Sequence, residues 1–247
     1  MLIATFIAAE TLKKGELSSA QDHLSQAGCN IVETSQIIDE RVAEISFEGD
    51  PAIARNALTP LTQNVDIAIL PTTNRRKKLL ISDMDSTMIT VECIDELASY
   101  AGIKEKIAEI TERAMQGELD FEDALRGRVA LLTGLDVSAV QKCLDEKVRI
   151  MPGAKTLVRT MRENGATTIL VSGGFTSFAN PVARQIGFGL AEANILGESE
   201  GKLSGKLGGQ IVDSKRKAEI LKSAAHDNGL SLDDCLAVGD GANDIPM

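Results

Sequence analysis

The stretch KKLLISDMDSTMITVE, residues 77–92, indicates the fold of the larger part of the chain. Four apolar or small residues, 79–82, run directly into Asp83 and Asp85. A continuous apolar run of this kind is typical of a strand buried on both faces of a parallel sheet. On an extended backbone the two carboxylates would point the same way, about 6.6 Å apart along the strand. Taken alone, the pair fits either a catalytic role or a turn in which Asp85 or Ser86 caps the next helix.

Two similar apolar runs follow, ATTILVSGG at 166–174 and CLAVGDG at 235–241, and helical segments separate them. Strands that alternate with helices predict an α/β fold with a doubly wound parallel sheet. A helical block at about 91–150 is predicted to be inserted as a cap after the first strand. Because ligands bind at the carboxyl ends of such strands, the polar loops after the three runs are predicted to share one site.

The beginning of the chain has a different pattern, β-α-β-β-α-β. This order resembles a ferredoxin-like or ACT-like α+β domain, an amino-acid-sensing module, which we assign to residues 1–73. The polar stretch 71–78 is predicted to lead into a second domain, residues 74–247. The roles considered for the first domain are amino-acid binding, homodimer formation and neither of these.

Composition and charge exclude several classes of function. A formal net charge of −10 over 247 residues argues against a nucleic-acid-binding or anionic-membrane-binding surface. No apolar run approaches the roughly 18 residues of a membrane span, and no positive charge precedes the apolar start, as a signal peptide would require. The four cysteines are far apart, which predicts buried thiols in a reducing cytoplasm rather than a zinc site or disulfides: Cys29, Cys93, Cys143 and Cys235.

Asp240 and Asp244, which follow the third apolar run, add two carboxylates to Asp83 and Asp85. Carboxylates held close together raise one another's pKa unless a cation or a proton relieves the repulsion. An oxygen-only site of this kind suits Mg²⁺, which prefers one or two carboxylates together with phosphate oxygens. The sequence therefore predicts a magnesium site.

Arg128 lies in the middle of an apolar helical face, whereas Arg126 points away from it. Asp120 is predicted to cap this helix. The residues that share the face at 100° per residue are Phe121, Ala124, Leu125, Val129 and Leu132. A guanidinium directed into a core needs a partner, which could be a bound carboxylate or an internal salt bridge.

Four motifs occur in the order DMDST, VSGGF, KAEIL and VGDGAND. In this order they resemble the motifs of the haloacid dehalogenase-like phosphatases. The segments VECIDELA, AMQGELDFEDALRGRVALL and VSGGFTSFA are similar to those of the family members that hydrolyse phosphoserine. The resemblance covers about residues 79–247.

For catalysis the resemblance implies that Asp83 is the nucleophile and that Asp85 is the general acid and then the general base. It also implies that Mg²⁺ is held by Asp83, the backbone carbonyl of Asp85 and Asp240, with Asp244 in the outer coordination shell. Asn243 is implied to orient the phosphate or a metal-bound water. Asn243 and Asp244 are predicted to lie at the start of a helix, where both would face the same site.

For phosphate binding the resemblance implies Ser172, Gly173 and Lys217. The alternatives are an ordinary turn for S-G-G and a solvated helix face for the lysine.

For the rest of the substrate the resemblance implies that Glu92 binds an amino group and Arg128 a carboxylate. Met115 and Phe121 are implied to form an apolar wall that shields the reaction from water. The alternatives are an acidic residue at a helix N-terminus for Glu92 and plain core positions for Met115 and Phe121.

The activity implied is hydrolysis of O-phospho-L-serine to serine and phosphate, the last step of serine biosynthesis. The alternatives are a phosphatase or phosphotransferase for another small phosphate ester and a non-catalytic serine-binding regulatory protein. Members of the resembled family continue beyond the position of Met247, so we expect a C-terminally truncated chain with Asp240 and Asp244 near a frayed end.

Overall fold

The computed structural model describes five ranges of the chain: 1–38, 40–63, 65–115, 118 and 120–247. Within helices it leaves some side chains undescribed, those of Lys14, Glu112, Ala114 and Met115. The chain divides into two compact units, Met1–Arg76 and Lys77–Met247.

The first unit contains an antiparallel sheet with strand order β2-β3-β1-β4. Its elements in chain order are β1 (Leu2–Ala8), α1 (Lys14–Gln26), β2 (Asn30–Ile38), β3 (Val42–Glu48), α2 (Pro51–Leu58) and β4 (Val65–Pro71), with a 3₁₀ turn at Thr59–Leu61. The predicted order of strands and helices is confirmed. Alternation along β1 and β3 directs Phe6, Ile45 and Phe47 into one buried core, against which Leu24 of α1 and Leu58 of α2 pack.

The second unit contains a sheet with strand order β8-β7-β6-β5-β9, parallel throughout except for the antiparallel β7–β8 hairpin. Its strands are β5 (Leu79–Ser82), β6 (Thr167–Phe175), β7 (Leu190–Ser199), β8 (Lys202–Gly208) and β9 (Cys235–Val238). Its helices are α3 (Cys93–Ala101), α4 (Lys104–Met115), α5 (Phe121–Ala130), α6 (Ser138–Glu146), α7 (Ala154–Glu163), α8 (Thr176–Ile186) and α9 (Ser214–Asp227).

The central strand β5 is buried on both faces, as its uninterrupted apolar sequence predicts. Leu80 packs into the core that includes Phe178 of α8, whereas Leu79 and Ile81 pack into the core that includes Leu221 of α9. Helices therefore cover both faces of the sheet, and the predicted α/β class is confirmed.

Helices α3 to α7 lie between β5 and β6 in the chain, and α3 to α6 pack together through Leu97, Ile107, Leu125 and Val140. The carboxyl ends of β5 and β9 lie side by side, because Ser82 is opposite Val238 in the parallel register. Strand β6 runs parallel to β5 on its other side. The chain segments that follow β5, β6 and β9 come from distant parts of the sequence and therefore lie at the same edge of the sheet.

One cysteine departs from the sequence-based expectation. Cys29, Cys93 and Cys143 are buried, but Cys235 is partly exposed because it begins β9, the edge strand of the described sheet. Among the helices that the structure describes, none is both long and apolar enough to cross a membrane.

Candidate active site

A cavity of the second unit opens at the carboxyl ends of the strands, and most of the predicted site residues line it. The lining residues are Asp83, Asp85, Glu92, Ile94, Phe121, Leu125, Arg128, Ser172, Gly173, Gly174, Phe175, Lys217, Asp240 and Asn243. Asp244 lies next to Asp83 and Asp240, and the side chain of Met115 lies outside the described residues.

Asp83 and Asp85 lie beyond the last residue of β5, so they are not part of the strand itself. Strand β5 ends at Ser82, and a tight turn follows in which the N–H of Met88 donates to the carbonyl of Met84 at 2.8 Å. Ser86 adopts a left-handed conformation with φ of 53° in this turn, a region that is uncommon for residues other than glycine. Both carboxylates nevertheless face the same cavity.

Lys217 forms buried ion pairs with two of the predicted acidic residues. Its Nζ lies 2.5 Å from Asp83 Oδ1 and 2.8 Å from Asp244 Oδ1, and the residue is only 2% exposed. Burial acts to lower the pKa of Lys217, but the carboxylates of Asp83 and Asp244 outweigh it and leave the pKa raised. The lysine is therefore a fixed positive charge at the base of the cavity, and it does not lie on a solvated helix face.

Asp83, Asp240 and Asp244 can bring one carboxylate oxygen each within 4.8 Å of one another. The donor set consists of hard oxygen ligands, which suit a divalent cation such as Mg²⁺ and not a soft metal. Asp240 also accepts a hydrogen bond of 3.0 Å from Thr87 Oγ1, which joins the loop after β9 to the turn after β5. Sequence reasoning did not identify Thr87, because the two residues are 153 positions apart.

The two carboxyl groups that follow β5 both have raised pKa values. Burial is the main cause for Asp83, whose pKa is about 6 despite the opposing charge of Lys217. Burial also raises the pKa of Asp85 to about 7, with further contributions from the charges of Glu92 and Asp83. The Oδ1 atom of Asp85 is buried without a hydrogen-bond partner among the described residues. At neutral pH such a group exchanges a proton readily.

Cys93, at the start of α3, was expected only to fill the core. It forms a hydrogen bond with the Asp85 carboxyl group, which partly counters the effect of burial on the pKa of Asp85. Asp85 and burial together raise the pKa of the Cys93 thiol far above its ordinary value. Cys93 is thus a neutral neighbour of Asp85.

The carboxyl end of β6, which includes Ser172, Gly173 and Gly174, is held by local hydrogen bonds. Ser172 is 1% exposed, and its Oγ accepts a 2.8 Å hydrogen bond from the N–H of Gly174. A Cβ atom on Gly173 would lie 3.2 Å from Phe121 Cζ, so the backbone there approaches the cap closely. A side chain at this position would displace the Phe121 ring by a few tenths of an ångström.

Asn243 and Asp244 lie in a turn and not at the start of a helix as predicted. The N–H of Asp244 donates to the carbonyl of Gly241 at 3.0 Å, an i to i−3 bond typical of a turn. Asn243 Nδ2 lies 3.5 Å from Asp244 Oδ1. Asp244 itself is buried by its contact with Lys217.

The cap contributes Arg128 and Glu92 to the other side of the cavity. Arg128 donates through Nε to the carbonyl of Ala124 at 3.3 Å and forms no salt bridge with any described residue. Burial lowers its pKa, and the charges of Asp95 and Glu92 oppose that change. Glu92 accepts a 2.6 Å hydrogen bond from Ser86 Oγ. The internal salt bridge considered for Arg128 is not formed with the described residues.

Phe121 was grouped with core positions on one helical face, and this is wrong. Ala124, Leu125 and Val129 are buried, but Phe121 is 40% exposed because it is the first residue of α5, immediately after Asp120. Asp120 caps the helix as predicted, since its carboxylate accepts from the N–H of Asp123 at 2.8 Å. The ring of Phe121 instead lies over Gly173 at the wall of the cavity.

The model of the haloacid dehalogenase-like hydrolases matches residues 77–247. The chain therefore belongs to the haloacid dehalogenase-like hydrolase family.

Within that family the chain is similar to several phosphoserine phosphatases. The phosphoserine phosphatase of Streptomyces coelicolor is 39% identical over 91% of this chain and 56% of that protein. The crystal structure of a probable phosphoserine phosphatase from Vibrio cholerae, in unliganded form, is 33% identical with a TM-score of 0.80, over 100% of this chain and 75% of that chain. A phospho-aspartyl intermediate analogue of phosphoserine phosphatase is 40% identical with a TM-score of 0.64, over 70% and 82% of the two chains. The chain spans 54% to 63% of the length of three curated relatives.

Proposed function

We propose that the chain hydrolyses O-phospho-L-serine to serine and phosphate through an aspartyl-phosphate on Asp83. The observation that carries the proposal is the placement of Asp83 and Asp85 in one cavity with Arg128, a guanidinium without a salt bridge to any described residue. The acidic pair provides the chemistry, and the arginine provides a binding site for the carboxylate of an amino acid. The similarity to phosphoserine phosphatases supports the same substrate.

In the first step Asp83 attacks phosphorus and displaces the serine oxygen. The contact with Lys217 supports this role, because a positive charge beside Asp83 favours its ionised, nucleophilic form. The similarity to a phosphoserine phosphatase solved as a phospho-aspartyl intermediate analogue supports the same kind of intermediate in this chain.

Asp85 donates a proton to the departing serine oxygen and afterwards accepts one from the hydrolytic water. Its pKa of about 7 supports both tasks, since protonated and ionised forms are both populated at neutral pH.

Asp83, Asp240 and Asp244, together with the backbone carbonyl of Asp85, are proposed to hold or orient Mg²⁺. When bound, the ion neutralises the charge of the phosphate that Asp83 must approach. The three clustered carboxylates support this assignment.

Ser172, Gly173, Lys217 and Asn243 are proposed to bind the phosphate group. Lys217 supplies charge, and the loop at the end of β6 supplies hydroxyl and backbone donors. All four residues line the cavity.

Glu92 is proposed to bind the substrate amino group and Arg128 its carboxylate, with Phe121 and Met115 as the apolar wall. The charges of Glu92 and Arg128 are complementary to the two charged groups of an amino acid. A phosphate ester without these groups would leave Arg128 without its partner, which argues against other small esters as the main substrate.

For the first unit we propose an ACT-like module that binds serine or joins two copies of the chain. The order β-α-β-β-α-β and the sheet order β2-β3-β1-β4 support the ferredoxin-like class.

The test is phosphate release from O-phospho-L-serine by the parent chain and by Asp83→Asn, with Mg²⁺ and with EDTA. We expect metal-dependent release by the parent alone, together with a phosphoryl adduct on the peptide that contains Asp83 in rapidly quenched samples. Folded parent protein that releases no phosphate with Mg²⁺ present, or an Asp83→Asn variant with unchanged activity, would contradict the proposal.

A further inference from the structure

Strand β6 contains a bulge at the point where it enters the cavity. Ser172 is opposite Ala193 of β7, and Phe175 is opposite the next residue, Asn194. Two residues of β6, Gly173 and Gly174, therefore have no counterpart in the register of β7. A bulge of this kind removes backbone groups from the ladder, and these groups need other partners.

The side chain of Asn194 supplies one of those partners. Asn194 is fully buried, and its Nδ2 donates to the carbonyl of Gly173 at 2.8 Å. Its Oδ1 accepts from the N–H of Val212, also at 2.8 Å. Each end of one amide group thus bonds a different segment of the second unit.

The peptide plane between Gly173 and Gly174 is fixed at both ends. Its carbonyl accepts from Asn194, and its N–H donates to Ser172 Oγ at 2.8 Å. Because a peptide unit is rigid and planar, a rotation that moved the carbonyl would also move the N–H. With Gly174 as donor, Ser172 Oγ keeps its own proton available for an incoming anion.

The second bond of Asn194 reaches the segment that leads into α9. Val212 precedes Asp213, which caps α9 by accepting from the N–H of Arg216 at 2.7 Å. Lys217 is the residue after Arg216, in the first turn of α9. Asn194 therefore links the bulged end of β6, which carries Ser172, to the helix that carries Lys217.

We propose that Asn194 is a positioning residue for the phosphate site, which rests on the function proposed above. Its amide sets the orientation of the Gly173–Gly174 peptide, and through it the Ser172 hydroxyl, relative to Lys217. Without the amide, the carbonyl of Gly173 and the N–H of Val212 are left unpaired in a buried region, and the loop must rotate to satisfy them.

The same pair of strands offers a matched control. Thr168, near the start of β6, is 1% exposed and accepts through Oγ1 from the N–H of Gly189 at 3.0 Å. Thr168→Val removes this part-buried side-chain contact about 13 Å along the strand from Ser172, at the end opposite the cavity, while the N–H of Gly189 keeps its 3.1 Å bond to the Thr168 carbonyl. A loss of phosphate affinity that depends on the contact at the cavity would appear only in variants of Asn194.

The experiment compares the parent with Asn194→Leu, Asn194→Ala and Thr168→Val. Calorimetry with inorganic phosphate in Mg²⁺ gives Kd, phosphoserine turnover gives kcat and KM, and thermal unfolding gives Tm. In Asn194→Leu we expect the phosphate Kd to rise about 10-fold and kcat/KM to fall about 100-fold, the scale of a displacement near 1 Å. For Asn194→Ala we expect smaller changes in the phosphate Kd and in kcat/KM, because water can enter the vacated space. For Thr168→Val we expect both constants to stay within about two-fold of the parent values.

An Asn194→Leu variant with parental phosphate affinity and turnover would overturn the inference and leave the proposed function intact. So would loss of folding in both Asn194 variants, because the residue would then support the whole unit. A parent that binds phosphate without hydrolysing phosphoserine would overturn the proposed function, and the calorimetry would still decide the inference. A parent that binds no phosphate would overturn both.

Discussion

Lys217 and Asp83 form a buried ion pair, 2.5 Å from Nζ to Oδ1, across a sequence separation of 134 residues. The pair brings α9 against the end of β5, and a second contact of 2.8 Å adds Asp244. One lysine therefore compensates two buried carboxylates that belong to different loops. Removing one partner of such a pair leaves uncompensated charge in a site of low polarity, which is strongly destabilising.

We predict that Lys217→Met lowers the free energy of unfolding by about 3 kcal/mol in EDTA, because it leaves Asp83 and Asp244 without their counter-ion. It should also lower kcat/KM for phosphoserine by about 10²–10³, the scale for loss of one charged group at the reacting phosphate. Urea unfolding and steady-state kinetics measure the two effects. Lys215→Met, an exposed position on the same helix, is the matched control and should change neither. Equal behaviour of the two variants would contradict the role of Lys217.

A second prediction follows from the raised pKa of Asp85, about 7. The folded protein binds this proton more tightly than the unfolded chain does. The stability that this proton adds to the folded state is fully present below the pKa that Asp85 has in the unfolded chain, and it is lost as the pH rises through about 7. Between about pH 8 and about pH 5.5 in EDTA, we therefore expect the parent to gain about 2 kcal/mol of unfolding free energy relative to Asp85→Asn.

Asp136→Asn is the control for this titration. A hydrogen bond from Ser138 lowers the pKa of Asp136. The contribution of Asp136 to stability is therefore present above the pKa that it has in the unfolded chain, and it is lost only in more acidic solution. The difference in unfolding free energy between Asp136→Asn and the parent should stay constant over the same pH range. A constant difference for Asp85→Asn as well would show that Asp85 is ionised throughout.

Metal binding by the acidic cluster predicts a gain in stability that depends on Asp240. Mg²⁺ at 100 times its Kd should raise the unfolding free energy of the parent by about 2.7 kcal/mol. A ten-fold weaker site in Asp240→Asn should reduce the gain to about 1.4 kcal/mol. Unfolding in Mg²⁺ and in EDTA measures both values, and the exposed variant Asp233→Asn should retain the full gain. Identical gains in both variants would exclude Asp240 as a ligand.

The fold of the second unit was predictable because a few local patterns imply it. The uninterrupted apolar residues of β5 indicate a strand with helices on both faces, and strands of this kind are typically parallel neighbours. Parallel neighbours end at the same edge, so the loops carrying Asp83, Ser172 and Asp240 had to converge. Arg128 was predictable for a similar reason, since a charged residue on an apolar helical face stands out in a single sequence.

Contacts between distant segments were not predictable in the same way. The hydrogen bonds from Thr87 to Asp240 and from Asn194 to Gly173 join residues 153 and 21 positions apart. Neither bond leaves a periodic pattern in the sequence. The exact backbone after β5 was likewise not specified by the sequence, where the strand ends at Ser82 and a turn with a left-handed Ser86 follows. The chain direction changes there over very few residues, and propensity alone does not specify where.

The last prediction concerns specificity and rests on Arg128, whose guanidinium forms no salt bridge with any described residue. O-phosphoethanolamine keeps the phosphate and amino group of phosphoserine but lacks the carboxylate. Arg128→Met should therefore lower kcat/KM for phosphoserine about 100-fold relative to phosphoethanolamine, the equivalent of about 3 kcal/mol for one charge-assisted contact. Arg126→Met, which removes an exposed pair with Glu122 on the same helix, should leave the ratio unchanged. If Arg128→Met harms both esters equally, the arginine acts on the phosphate or on the cap and does not select the substrate carboxylate.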